Sequence, residues 1–263
     1  MNENSIRTKG LFLIIDRKNE KGLTHWIDEL ETRKIPAVLL IDEYLADEHP
    51  DLIKEISQKG FEICCSYNDS PFWDESYDSQ MEIMTRIKDK WQSRLGESLR
   101  VFGSKYFAYT EDTLKIADQI GVKYIFARGT TGVRSVVYQP KEYQAKIVSV
   151  SNVPSKALGT GSLCDESLRC RNATPQDLQD ILFNTKEDRI SVVAQTHLSG
   201  VKLNWWNAYQ SFLNANRVDW LPLNDFVADP IVLPNMEIPL NTRADYRIPM
   251  PKVPLEAEPD FPF

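Results

Sequence analysis

Two titratable residues stand where buried strands would end. The apolar run Leu11-Phe12-Leu13-Ile14-Ile15 gives way to Asp16-Arg17-Lys18-Asn19, and Ile190-Ser191-Val192-Val193-Ala194-Gln195 gives way to Thr196-His197. Asp16 could activate water as a general base, with the Arg17 guanidinium holding its carboxylate or gripping an acidic group of a substrate. His197, one of three histidines in the chain, could move a proton. Each has a plainer account: a solvated charge pair at a strand end, and an imidazole that only bonds its neighbours. Ser66 and Ser70 follow the short strand Phe61–Cys65. They become nucleophiles only with a base such as His197 nearby, and no G-x-S-x-G elbow surrounds either. Lys105 and Arg128 also follow apolar runs and could bind an anionic substrate. Phe72, Trp73, Tyr77, Trp205, Trp206 and Tyr209 lie in or next to loops, where such rings stack on sugars as readily as they pack.

Other constellations are weaker. Cys64, Cys65, Cys164, Asp165 and His197 could assemble a metal site, but no C-x-x-C spacing supports one. Gly159-Thr160-Gly161-Ser162 lacks the lysine and spacing of a phosphate-cradling loop. His25 falls mid-helix and His49 at a helix start, and neither placement suits a ligand.

Alternating elements must position these residues. Strands are expected at Leu11–Ile15, Ala37–Ile41, Phe61–Cys65, Leu99–Phe102, Val122–Ala127 and Ile190–Gln195, the first as a continuous apolar run buried on both faces and the second and last as buried strands too. Between them, helical spacing is expected from Gly22 to Lys34, from Pro50 to Gly60, from Ser79 to Leu95 and from Glu111 to Ile120, the last capped by Thr110. Ser135–Tyr138 and Lys146–Val150 read as a hairpin excursion, and Ser151–Arg171 as a long loop. A further helix starts at Thr174-Pro175, and another runs from Trp205 to Leu213. This rhythm predicts an α/β protein with a largely parallel sheet or barrel in one domain, residues 1–228. The stretch 229–263 holds eight of the fifteen prolines and is expected to be extended, wrapping the domain or partly disordered.

Composition narrows the function. A net charge of -7 suits no nucleic-acid partner. No apolar stretch is long enough for a membrane span or a signal-peptide core. Four cysteines in a chain of this length read as reduced thiols, so a cytoplasmic location is expected.

The order of the pieces resembles the polysaccharide deacetylase family, also called the NodB-homology or carbohydrate esterase family four. The similarity lies in Ile35-Pro36-Ala37-Val38-Leu39-Leu40-Ile41, Tyr44-Leu45, His49 to Ile56 and Gly60-Phe61-Glu62-Ile63. Gly96, Tyr106, Asp112-Thr113-Leu114 and Gly121, and finally His197, continue it. The resemblance implies a distorted (β/α) barrel of about seven largely parallel strands. It also implies metal-dependent removal of an acyl group from an amino sugar. Carried across, Asp16 takes the base position, His197 the acid position, and the backbone amide of Tyr106 joins an oxyanion hole.

The metal ligands do not carry across. The family's metal-binding aspartate becomes Arg17, and its two histidines become Ser66 and Ser70. A catalytic zinc keeps three protein ligands and one open position, and a guanidinium has no lone pair to give. The expectation is therefore no metal cofactor. The substrate class is an N-acyl or N-formyl sugar or sugar precursor, in O-antigen or capsule biosynthesis by analogy. Asp16, His197 and Tyr106 would form the catalytic group, with Arg17, Ser66, Ser70, Trp73, Lys105, Arg128 and Trp205 binding substrate. The alternative is an inactive barrel that binds a sugar or nucleotide-sugar.

Overall fold

The apolar runs become the staves of one curled sheet. A computed structural model of the chain describes residues 7–129, 132–154, 161–240 and 251–262. Strands β1 (Thr8–Ile15), β2 (Ala37–Asp42), β3 (Glu62–Tyr67), β4 (Val101–Ser104) and β5 (Tyr124–Arg128) lie side by side in parallel. Then β6 (Val137–Pro140) and β7 (Lys146–Val150) form an antiparallel pair, with β7 parallel to β5. Strand β8 (Arg189–Gln195) pairs in parallel with the far side of β1, and β9 (Val218–Trp220) pairs with the start of β1. Strand β10 (Ile231–Leu233) adds to β6 at the opposite edge. The sheet order is β10-β6-β7-β5-β4-β3-β2-β1-β8.

The curl brings β8 round toward the end of β7. Among the described residues no ladder closes that seam. Instead the Ser151 amide donates to the Ser191 hydroxyl at 2.7 Å and the Ser191 amide donates to the Ser151 hydroxyl at 2.9 Å. Isolated bridges join Arg134 to Ile190 and Cys164 to Val193. The result is a distorted barrel, mostly parallel, wrapped in helices.

Alternation along each strand separates two cores. Leu11, Leu13, Val38, Leu40, Cys64, Phe126, Val148 and Val193 fill the barrel. Phe12, Ile14, Leu39, Ile41, Cys65, Phe102 and Ala194 face outward, beneath the helices. The adjacent cysteines therefore belong to different cores, and both are free thiols.

The helices are α1 (Glu20–Arg33), α2 (Glu43–Glu48), α3 (Pro50–Gln58), α4 (Tyr77–Leu95), α5 (Glu111–Ile120), α6 (Asp165–Cys170), α7 (Pro175–Asn184), α8 (Leu203–Asn214) and α9 (Leu223–Phe226). Leu223, Phe226 and Val227 pack into the inner core, and the Leu221 amide donates to the carbonyl of Gly10 near the start of β1. The α9 segment thus plugs the N-terminal end of the strands. The mouth is left at their C-terminal end, where Asp16, Ser66, Arg128 and His197 arrive. Among the described residues, no helix is long and apolar enough to cross a membrane.

Several elements were not anticipated. Helix α2 begins directly after β2 because the Asp42 carboxylate accepts the Tyr44 amide as its cap. Helix α6 lies inside the stretch expected to be loop, as do the bridges at Asn152 and Cys164. Gly159 and Thr160 of the glycine-rich stretch fall outside the described residues. From the proline-rich stretch, Asp260 forms an antiparallel bridge to Lys202.

One close contact fixes the mouth. A Cβ on Gly22 would lie 2.0 Å from the Thr196 carbonyl oxygen, and one on Gly200 would lie 2.4 Å from the same atom. The first turn of α1 and the loop after β8 therefore meet across that carbonyl. Alanine in place of a helical glycine normally gains up to about 1 kcal/mol. Here the sign reverses, because the obstacle is backbone. Gly22→Ala is expected to cost about 1–3 kcal/mol, read from the urea midpoint at unchanged slope.

Candidate functional site

The end of β1 is tied to the end of β8 through Thr196. The Thr196 amide donates to the Ile15 carbonyl at 3.0 Å, and its hydroxyl accepts the Arg17 amide at 3.0 Å. That hydroxyl donates to Asp16 Oδ1 at 3.1 Å. Asp16 also accepts the amides of Asn19 (Oδ1) and Lys18 (Oδ2), each at 3.2 Å. Lys18 adopts a left-handed φ of 57° to make this tight turn. Asp16 is fully buried. Burial raises its carboxyl above the ordinary aspartate range and the nearby Asp42 adds to the rise, against hydrogen bonds from Asn19, Thr196 and Lys18. Arg17 turns along β8, its Nε donating to Gln195 Oε1 at 3.3 Å.

His197 faces the other way, onto α6. Its Nε2 lies 3.7 Å from Glu166 Oε2, and its side chain is 25% exposed. The Nδ1 atom is buried without a hydrogen-bond partner among the described residues. Burial pushes the Glu166 carboxyl up, but His197, the Cys170 thiol and Arg169 outweigh it and hold the group below the usual range. Next to it, Asp165 is fully buried and bolts α6 to β8. Its Oδ2 accepts the amides of Gln195 at 3.1 Å and Ser199 at 3.2 Å, and its Oδ1 accepts the Glu166 amide at 2.8 Å. Burial pushes Asp165 up to about 6. His197 thus stands where β1, β8 and α6 meet, one residue from the hydroxyl that holds Asp16.

The β3 and β4 loops supply the opposite side. Ser66 is buried, and its hydroxyl accepts from Asn68 Nδ2 at 2.9 Å, a group that also donates to Asp42 at 3.2 Å. The Ser70 hydroxyl bonds Glu75 and lies 3.3 Å from the Tyr67 hydroxyl. Lys105 Nζ donates to the Asp69 carbonyl at 2.9 Å and sits 5.6 Å from the centre of the Tyr106 ring. Tyr106 and Phe107 are both left-handed, with φ of 61° and 55°. For residues with a Cβ this costs on the order of 1–3 kcal/mol each, and such strain gathers where a backbone group must be aimed.

Two expected binding residues are enclosed. Trp205 is 1% exposed and its indole N–H donates to Glu258 at 2.6 Å. It belongs to the outer core and offers no open face to a sugar. Arg128, at 2% exposure, is part of the barrel wall. Trp73 is half-buried against the outer core and borders a cleft of about 560 Å³ with Thr110, Glu111, Glu142 and Met236. Sequence reasoning missed Thr196, Gln195, Asp42 and Glu166. The pair Asp165-Glu166 just after a capping position was the one available signal, since acidic residues favour a helix start.

A zinc-type site does not fit these residues. Arg17 cannot donate a lone pair, and the hydroxyls of Ser66 and Ser70 are engaged by Asn68 and Glu75. Among the described residues, no group of three or more histidine, cysteine, aspartate or glutamate side chains could hold a metal ion.

The polysaccharide deacetylase family model matches residues 4–125, the span from β1 to β5 that carries Asp16, Ser66, Ser70 and Tyr106. Over that span the chain is similar to the polysaccharide deacetylase, or NodB-homology, family. Solved structures share this deacetylase fold. A protein from Mycobacterium smegmatis, provisionally named a polysaccharide deacetylase, is 15% identical with a TM-score of 0.64, covering 90% of this chain and 98% of that one. A family 4 carbohydrate esterase pseudoenzyme from Bacillus anthracis is 11% identical with a TM-score of 0.58, covering 87% of this chain and 68% of that one. A mutant of that pseudoenzyme with restored enzymatic activity is 10% identical with a TM-score of 0.60, covering 87% and 70%. No curated protein matches the sequence.

Proposed function

We propose that the protein hydrolyses an N-acyl or N-formyl amide on a sugar or sugar precursor, without a metal ion, in cytoplasmic steps of O-antigen or capsule assembly. One observation carries this reading: the Thr196-His197 dipeptide at the end of β8 holds Asp16 through one residue and presents a carboxylate-backed imidazole through the next. A carboxylate beside a partly exposed imidazole, with a second buried carboxylate on the adjoining strand end, is an arrangement suited to proton transfer. Asp16, its proton affinity raised by burial, takes a proton from water as that oxygen attacks the carbonyl carbon. The Tyr106 backbone amide and the Arg17 cation face the developing oxyanion. The C–N bond then breaks as His197 gives its proton to the departing amine.

A second reading has its own support. Asp16 has no exposed surface and both its oxygens are occupied, so the 16–19 turn must open before Asp16 meets water. If it stays shut, the barrel binds its sugar and does not cleave it. The Bacillus anthracis relative is a pseudoenzyme of this same fold.

Purified protein assayed on N-acetylated and N-formylated sugar nucleotides, with and without chelator, separates the readings. Turnover that survives chelator and disappears in Asp16→Asn is expected. Binding without turnover across the panel favours the second reading. Turnover that requires added metal overturns both the mechanism and the account of Arg17, Ser66 and Ser70.

A further inference from the structure

The C-terminal segment reaches the back of the proposed acid. Residues 251–262 lie against the start of α8, where the Leu203 amide donates to the Pro259 carbonyl at 2.9 Å and the Phe261 amide to the Val201 carbonyl at 2.6 Å. Lys202 bonds Asp260 Oδ1 at 2.7 Å and the Glu258 carbonyl at 3.1 Å. This places the Glu258 carboxylate between two helices. Its Oε1 accepts Arg169 Nε of α6 at 2.8 Å, and its Oε2 accepts the Trp205 indole N–H of α8 at 2.6 Å. Arg169 is 8% exposed, and its Nη2 donates to the Val253 carbonyl at 2.7 Å. The segment thus engages this buried guanidinium twice.

What remains of Arg169 matters for His197. Its Nη1 stands 3.9 Å from Glu166 Oε2, the same oxygen that stands 3.7 Å from His197 Nε2. That oxygen is buried and makes no hydrogen bond among the described residues. It hangs between a cation and an imidazole, and neither contact closes. A carboxylate and a guanidinium on one short helix would ordinarily close into a charge-assisted pair. The pull of Glu258 and Val253 on the other side of Arg169 explains why they do not.

We propose that Glu258 is a positioning residue: it draws Arg169 away from Glu166, so that Glu166 serves His197. Without the Glu258 charge, Arg169 closes on Glu166 and the imidazole loses its carboxylate. The C-terminal segment, outside the span that the family model matches, then sets whether the acid is correctly oriented. The inference rests on His197 as the acid, yet its test needs no turnover, so the two fail separately.

The test is ring ¹⁵N NMR of the full chain, with the His197 signals assigned by their loss in His197→Gln. A carboxylate facing Nε2 favours the tautomer with its proton there. In Glu258→Gln the His197 ring signals are expected to move away from the Nε2–H pattern. In the Arg169→Gln background the same Glu258→Gln change is expected to leave them where they are, because the intermediary is gone. Asp260→Asn, which removes a docking ion pair without touching Arg169, is expected to change nothing at His197. Unmoved signals in Glu258→Gln overturn the proposal. So does an equal shift with and without Arg169, or an equal shift in Asp260→Asn, since either assigns the effect to general loosening.

Discussion

Phe12→Ala is expected to lower the free energy of unfolding by about 3–5 kcal/mol. Phe12 lies midway along β1, the strand that pairs with β2, β8 and β9. Its ring is fully buried against Trp26 at 5.4 Å, Trp220 at 5.3 Å and Tyr209 at 6.4 Å between centroids. Those partners come from α1, β9 and α8, so one side chain joins three elements to β1. Aromatic walls cannot collapse into the space a lost ring leaves, which puts the cost toward the upper end of the range. Urea unfolding should show a lower midpoint with an unchanged slope. A loss below about 1 kcal/mol would mean that the cluster repacks and that this side of the barrel is softer than its contacts imply.

Strands β1 to β5 and β8 were legible because they are buried on both faces. Continuous runs such as Leu11–Ile15 and Ile190–Gln195 can hardly be anything else between polar turns. Helices with strong caps were equally clear: Thr110 and Thr174 each form a reciprocal capping box. Short elements were not legible. Helix α2 has six residues and β9 and β10 three each, too few for a hydrophobic period to show. Their existence depends on what they dock against, which sequence spacing does not record.

The site divides along the same line. Asp16 and His197 stood out because strand ends in such folds gather at one mouth. The sequence could not tell that Asp16 would be sealed by its own turn, because that depends on Thr196 lying beside it in space. Nor could it distinguish Trp205, a core residue facing Glu258, from an aromatic on a sugar-binding rim. Both errors have one cause: side-chain direction at the end of an element is set by tertiary neighbours. Glu166 was missed for the related reason that its helix was read as loop.

His197→Ala is expected to reduce turnover by about 10²–10⁴-fold, the range for loss of a positioned proton donor. The fold should survive, since the side chain is partly exposed and its one ion-pair contact is the 3.7 Å approach to Glu166. Unchanged unfolding in urea would confirm that the loss is chemical. Glu166→Gln should act in the same direction but less severely, keeping the imidazole while removing the charge behind it. The pH profile separates the two carboxylates. Glu166, held below the usual range, stays ionised as pH falls. Asp16, raised by burial, takes up a proton first and stops acting as base. The acidic limb of kcat/KM should therefore lie above the pH of an ordinary aspartate, and Glu166→Gln should leave that limb in place while lowering the plateau. An acidic limb that moves with Glu166→Gln would transfer the base role away from Asp16. A plateau unaffected by His197→Ala would remove His197 from the mechanism and assign the proton donor to another group.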